Sequence, residues 1–126
     1  MPAITDWLLS RLEDDELTDL APGASVAPLA QRREAVTILN DLRDSAIDGL
    51  CHADVSLGNI LVGHGRLFLV DPRGMSGEVA YDAAVVALKA TKGTPPSVAA
   101  VRLAQQIGID PQRTKAWMTV AEAARV

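Results

Sequence analysis

Three polar residues near the middle of the chain have the types and the spacing that phosphoryl transfer requires. Asp54 precedes Asn59 by five positions, and Asp71 follows after one intervening segment. In a phosphoryl-transfer site, one aspartate accepts the proton of the acceptor hydroxyl, while an asparagine and a second aspartate hold magnesium against the phosphates. The spacing therefore predicts Asp54 as a catalytic base and Asn59 and Asp71 as Mg²⁺ ligands.

A predicted β-hairpin brings the two candidate ligands together. Two short apolar runs follow Asn59, and they are separated by Gly63-His64-Gly65-Arg66. Apolar runs joined by a glycine-containing loop are typical of a hairpin. If Val62 lies opposite Leu67, then Asn59 and Asp71 flank the open end of the hairpin, where opposed residues lie about 4.5–5.5 Å apart. Their oxygen donors are the hard ligands that Mg²⁺ takes beside water and phosphate.

Other polar residues near these loops are predicted to brace them. His52 is expected to hydrogen-bond the loop backbone, and Asp82, in the first turn of a predicted helix, is expected to cap or brace the loop. Arg73 is expected either to pair with Asp82 or another loop acid as a brace, or to lie near phosphate.

Each of these residues also has a structural explanation. An asparagine after glycine, as at Asn59, is common turn chemistry, and Asp71-Pro72 is a common turn opener. Cys51 beside His52 would permit a thiol nucleophile, but a lone cysteine in an apolar run is more often a core residue. His52 and His64 lack the companions of a zinc site. The combination at this spacing favours phosphoryl transfer.

Helices are predicted on both sides of the loops, which gives an α+β, mainly helical fold with a small hairpin. One domain of residues 1–126 is expected, with two helices in 1–48, the catalytic and metal loops in 50–82, and C-terminal helices in 83–126. The predicted helices are 3–20, about 28–46, 80–90, one capped by Ser97 through Ile107, and one that starts at Asp110-Pro111 and carries Trp117. The predicted buried faces carry Ile4, Trp7, Leu8 and Leu12, then Leu29, Val36, Leu39 and Ile47.

Composition excludes several classes of protein. Apolar residues make up 48% of the chain and aromatic residues only 3%, so an aliphatic core is expected. The net charge of -4 argues against general nucleic-acid binding, and no apolar run approaches the roughly 20 residues of a membrane span. No signal peptide opens the chain, and the single cysteine forms no internal disulfide, so a cytoplasmic location is expected.

The motifs resemble those of one enzyme family. Residues 52–62, His-Ala-Asp-Val-Ser-Leu-Gly-Asn-Ile-Leu-Val, resemble the H-G-D-x-x-x-G-N-[VI]-L-[VL] loop of aminoglycoside phosphotransferases. Residues 66–74 look like the second signature, in the D-P-[RK]-G form of the streptomycin 6-phosphotransferase and hydroxyurea-resistance kinase branch. Residues 77–82 are similar to the G-D-P-A-[YF]-D that follows in that branch, and residues 109–117 resemble the family's last helix.

This resemblance implies the C-terminal lobe of a protein-kinase-like fold. It implies transfer of the γ-phosphate of ATP, with Mg²⁺, to a hydroxyl of an aminoglycoside or another small molecule. Asp54 would be the base, and Asn59 and Asp71 the metal ligands. Aminoglycosides are polycations, and an acceptor site of that kind could be lined in part by Asp41, Asp44 and Asp48.

The chain also departs from the family pattern. Ala53 stands where the family has glycine, Ser56-Leu57 where it has His-Pro, and Glu78-Val79 where it has Asp-Pro. All three lysines follow the catalytic loop and no glycine-rich loop precedes it, so the N-terminal ATP-binding lobe is expected to be absent. Three interpretations stay open: a kinase lobe that acts with a separate N-terminal lobe or self-associates, a non-catalytic remnant or binding module, and a helical partner-binding protein.

Overall fold

Five helices and four short strands make up the described part of the chain. The computed structural model describes residues 3–45, 49–51, 60–63, 66–69, 75–89 and 93–126. The helices are α1 (Ile4–Glu13), α2 (Leu29–Asp44), α3 (Val79–Lys89), α4 (Pro96–Ile107) and α5 (Pro111–Ala123). The strands are β1 (Leu50–Cys51), β2 (Ile60–Gly63), β3 (Arg66–Leu69) and β4 (Met75–Ser76). Within these residues, no helix combines the length and the apolar character needed to cross a bilayer.

The helices form a bundle in which α5 packs against α2, α3 and α4, and α1 packs along α2. Among the described residues, twelve of the 24 buried hydrophobic residues are alanine, which lets the helix axes approach closely. The prediction of an aliphatic core needs one correction. Tyr81 and Trp117 are both at least 98% buried, and their rings meet edge to face with centroids 5.7 Å apart.

Three arginines bond to backbone carbonyls at the C-terminal ends of helices. The last carbonyls of a helix have no partner within the helix, and a cation there also meets the negative end of the helix dipole. The three bonds are Arg11 Nε to Ala124 O at 2.9 Å, Arg32 Nη1 to Leu12 O at 3.1 Å and Arg113 Nη2 to Leu42 O at 3.1 Å. Each guanidinium therefore ties a helix end to another element of the bundle.

The buried face of α2 agrees with the prediction at Leu39 and at Val36, which is partly buried against the core, and differs at Leu29. Ile47 lies outside the described residues. The buried residues of α2 are Arg32, Ala35, Leu39 and Leu42, while Leu29 is 50% exposed. Arg32 takes an inward position, because it donates to Ala27 O and to Leu12 O at the end of α1. A charged residue normally indicates the solvent face, so the sequence did not predict Arg32 on the buried face. Leu29 lies at the edge of that face and is half exposed.

Two helix ends also differ from their predictions, and one agrees. Helix α1 ends at Glu13 instead of residue 20, because acidic residues follow at the negative end of its dipole and Asp14 Oδ1 accepts a hydrogen bond from Glu16 N at 2.8 Å. Ser97 does not cap α4, whose N-cap is Pro95. Asp110 caps α5 as predicted, accepting from Gln112 N at 2.9 Å.

The strands form two separate antiparallel pairs. β2 pairs with β3, with Val62 opposite Leu67, which is the register expected from the sequence. β1 pairs with β4, with Leu50 opposite Ser76 and Cys51 opposite Met75. The second pair joins the chain just before residue 52 to the chain just after residue 74.

Candidate functional site

The described strands bound the two predicted loops. β1 ends at Cys51, β2 begins at Ile60, β3 ends at Leu69 and β4 begins at Met75. The predicted base, Asp54, the predicted metal ligands, Asn59 and Asp71, and His52, Arg73 and Asp48 all lie outside the described residues. Their roles stay predictions. The structure describes the two strand pairs, β1 with β4 and β2 with β3, at which both loops begin and end.

Beside the pair of β1 and β4, two backbone segments lie too close together to leave room for a side chain between them. Gly77 N donates to Gly49 O at 3.0 Å, directly before the pairing of β1 with β4. A Cβ atom added at Gly49 would lie 2.9 Å from Gly77 O, closer than real Cβ contacts. Gly49 therefore allows the approach to the first loop and the exit from the second to run side by side.

Glu78 is a buried carboxylate immediately beyond this contact. Its side chain is 6% exposed. Arg113 Nε lies 2.9 Å from Oε1 and 2.8 Å from Oε2, and Arg113 Nη2 lies 2.6 Å from Oε1. Trp117 Nε1 donates to Oε1 at 2.8 Å. Buried charges persist when they are paired and fully hydrogen-bonded, and Glu78 meets both conditions.

Arg113 also reaches the end of α2. Its Nη1 donates to Ser45 Oγ at 2.9 Å and its Nη2 donates to Leu42 O at 3.1 Å. One guanidinium on α5 therefore contacts the chain shortly before the first loop and, through Glu78, the chain shortly after the second. We call Glu78, Arg113 and Trp117 the clamp.

Arg113 keeps its charge in the clamp. Hydrogen bonding to Glu78 raises the pKa of Arg113 above its ordinary value, and attraction to Glu78 and Asp110 adds to this, while burial acts in the opposite direction. The contribution that protonation of Arg113 makes to stability is complete below its unfolded pKa and is lost as the pH rises through the still higher folded value.

Asp82, predicted to brace a loop, is buried in the first turn of α3 with 5% exposure. A buried carboxylate needs hydrogen-bond donors or a charge partner, and bracing a loop is one reason to place it there. The bracing role stays a prediction. Of the three candidate acceptor-site aspartates, Asp41 and Asp44 are exposed in the last part of α2, three positions apart. Such positions are neighbours on a helix surface.

Reasoning from the sequence missed the clamp. Arg113 and Trp117 are four positions apart, which places them on one face of α5, but nothing local indicates that both would meet Glu78. The one available signal was the acid at Glu78 itself, directly before a helix in the segment that follows the predicted metal loop.

The donors predicted for a metal are consistent with magnesium. An amide oxygen from Asn59 and a carboxylate from Asp71 are hard ligands of the kind Mg²⁺ prefers. Within the described ranges, no cluster of three or more His, Cys, Asp or Glu residues forms an alternative metal site.

Comparison with known proteins identifies the family. The model of the phosphotransferase enzyme family matches residues 2–117, a range that includes both predicted loops and the whole clamp. No curated protein and no solved structure matches the chain. Because the matched range covers nearly all of the 126 residues, the chain belongs to the phosphotransferase enzyme family.

Proposed function

We propose that the chain carries an ATP- and Mg²⁺-dependent phosphotransferase site that moves a phosphoryl group to a hydroxyl of a small molecule. The observation that carries this proposal is the family match over residues 2–117, which includes the predicted base and both predicted metal ligands. The pairing of β2 with β3 supports it, because β2 begins one residue after Asn59 and β3 ends two residues before Asp71.

In the proposed reaction, Asp54 orients the acceptor hydroxyl and takes its proton as the new oxygen–phosphorus bond forms. The bond between the γ-phosphorus and the bridging oxygen of ATP breaks, and ADP leaves with that oxygen. Asn59 and Asp71 would hold Mg²⁺, which when bound neutralises the phosphate charges. His52, Arg73 and Asp82 are proposed to keep these loops in place.

We propose an aminoglycoside of the streptomycin type as the acceptor class. Asp41 and Asp44 present two exposed carboxylates in the last part of α2, the helix that precedes the first loop in the sequence. Together with Asp48 they would attract a polycation and raise its local concentration.

The test is magnesium-dependent binding of ATP, measured by calorimetry with the purified chain. Asp71→Ala is expected to weaken binding by at least about tenfold, because it removes a direct metal ligand. Asp54→Asn should keep this binding and lose phosphoryl transfer by about a hundredfold or more. Asp6→Ala is the matched control, since Asp6 is exposed on α1 and forms a surface ion pair with Arg43.

The outcomes separate the proposal from its alternative. Binding that is lost in Asp71→Ala and kept in Asp6→Ala supports the phosphotransferase site. If neither the natural chain nor the variants bind ATP, the proposal fails, and a non-catalytic binding module with the kinase-like fold replaces it.

A further inference from the structure

The predicted base and both predicted metal ligands lie in one segment, residues 46–77, whose flanking residues, Ser45 and Glu78, are described. One end follows Ser45 at the C-terminus of α2, and the other leads into Glu78 before α3. The relative position of these two ends limits where the loops between them can lie. A residue that contacts both ends is therefore in a position to set the geometry of the site without touching a substrate.

Arg113 is that residue. On one side it bonds Ser45 Oγ and Leu42 O, and on the other it bonds both carboxylate oxygens of Glu78. A guanidinium presents its donors in a fixed plane, so these contacts specify distance and direction together. A lysine at this position would keep the charge but lose the planar set of donors.

Trp117 also holds the carboxylate of Glu78 in place. Its Nε1 donates to the same Oε1 that accepts from Arg113, and its ring packs edge to face on Tyr81 in the core. Glu78 therefore cannot turn without breaking a bond to a buried side chain. The clamp therefore links the position of α5 to the position of Glu78, directly after residues 46–77.

The backbone pairing at this place is short. Leu50 and Cys51 pair with Ser76 and Met75, Gly77 bonds Gly49, and Ser76 also forms a bridge with Ala3. Met75 is buried in the core, and β1 packs against α3, so this pair is also held by packing. A ladder of two residues is marginal without such packing, and the clamp, directly after Gly77, adds a further constraint.

From these contacts we infer that Arg113 is a positioning residue of the proposed phosphotransfer site, which holds the chain before residue 46 directly and the chain after residue 77 through Glu78. This inference rests on the proposed function for its consequence, but its structural content is testable without activity.

Arg32 provides a matched control. Like Arg113 it donates to a helix-terminal carbonyl, Leu12 O, and to a carboxylate, Asp15 Oδ1 at 2.7 Å. It lies ten residues before Leu42 on α2, about 15 Å away by the rise of a helix. Its loss should lower global stability without moving the ends of residues 46–77.

The experiment measures hydrogen exchange by mass spectrometry in the full chain carrying Arg113→Met, Arg113→Lys, Glu78→Gln or Arg32→Met. Arg113→Met is expected to speed exchange in peptides 46–59 and 70–78 by about tenfold or more, whereas Arg32→Met should leave them within about twofold after correction for global stability. Arg113→Lys should lie between these values. Glu78→Gln should resemble Arg113→Met, since the amide can still accept from Trp117 but loses the charge-assisted bonds.

A second measurement connects the clamp to the site. Magnesium-dependent ATP binding should weaken by about tenfold in Arg113→Met and stay within about twofold in Arg32→Met. If both variants loosen the two peptides equally, Arg113 is merely structural and the inference is overturned. If the natural chain binds no ATP, the proposed function fails. The difference in hydrogen exchange between Arg113→Met and Arg32→Met still decides whether the clamp positions the two peptides. If Arg113→Met does not fold, the comparison of Arg113→Lys and Glu78→Gln with Arg32→Met decides it in the same way.

Discussion

Replacing Gly49 by alanine tests how closely the two ends of the site must approach. The new Cβ would lie 2.9 Å from Gly77 O, whereas ordinary contacts of this kind begin at 3.4 Å. The obstacle is backbone, so no side chain can turn away. β1 and β4 would have to separate by about half an ångström, at the place where Gly77 N now bonds Gly49 O.

The expected cost follows from two opposing terms. Inserting a methyl group into a filled space costs about 1–3 kcal/mol through shifts of the backbone. Alanine also restricts the unfolded chain, which returns about 0.4–1 kcal/mol. Gly49→Ala should therefore lower the free energy of unfolding by about 1–2 kcal/mol, which corresponds to a fall in Tm of about 5 °C for a domain of this size.

Gly23→Ala is the matched control. Gly23 has φ +82° and no atom within 4 Å of an added Cβ, so its substitution is expected to cost about 1 kcal/mol through backbone strain alone. Urea unfolding should show similar losses for both variants, but only Gly49→Ala should weaken magnesium-dependent ATP binding. If Gly49→Ala proves as stable as the natural chain, the close contact is refuted. Equal weakening of ATP binding in Gly23→Ala would trace the effect to global stability instead.

Two further predictions concern the clamp and the acceptor. Trp117→Phe keeps a packed ring but removes the hydrogen bond to Glu78, so it should lower the free energy of unfolding by about 2 kcal/mol in urea titrations; a loss below about 0.5 kcal/mol would contradict the bond's importance. Asp41→Asn with Asp44→Asn should weaken streptomycin binding several-fold at low salt, as measured by calorimetry. Equal weakening by Glu34→Gln, on the same helix, would mean that net charge is responsible.

Local signals in the sequence predicted the elements well where the relevant chemistry is local. Asp110 before Pro111 marked the start of α5, because a cap and a proline act within one turn. Two apolar runs around a glycine-containing loop indicated a pairing of residues 60–62 with 67–70, and the structure has Val62 opposite Leu67, the register assumed for the predicted hairpin. Both depend on residues a few positions apart, and the sequence shows such spacing directly.

The clamp could not be predicted in the same way. Glu78 and Arg113 are 35 positions apart, and Arg11 and Ala124 are 113 positions apart. Such contacts arise only once the helices have packed. A buried arginine also looks like a surface residue in a hydrophobic pattern, which is why the prediction missed Arg32 on the buried face of α2 and placed Leu29 there instead.

The alanine-rich core has a consequence for how stability depends on temperature. The heat capacity of unfolding is set mainly by the apolar area that becomes hydrated, and an alanine side chain adds only one methyl group. Twelve alanines among the 24 buried hydrophobic residues that the structure describes therefore place this heat capacity at the low end for a chain of this length. A small heat capacity flattens the curve of unfolding free energy against temperature. The bundle should consequently keep much the same stability over a wide range and resist unfolding in the cold.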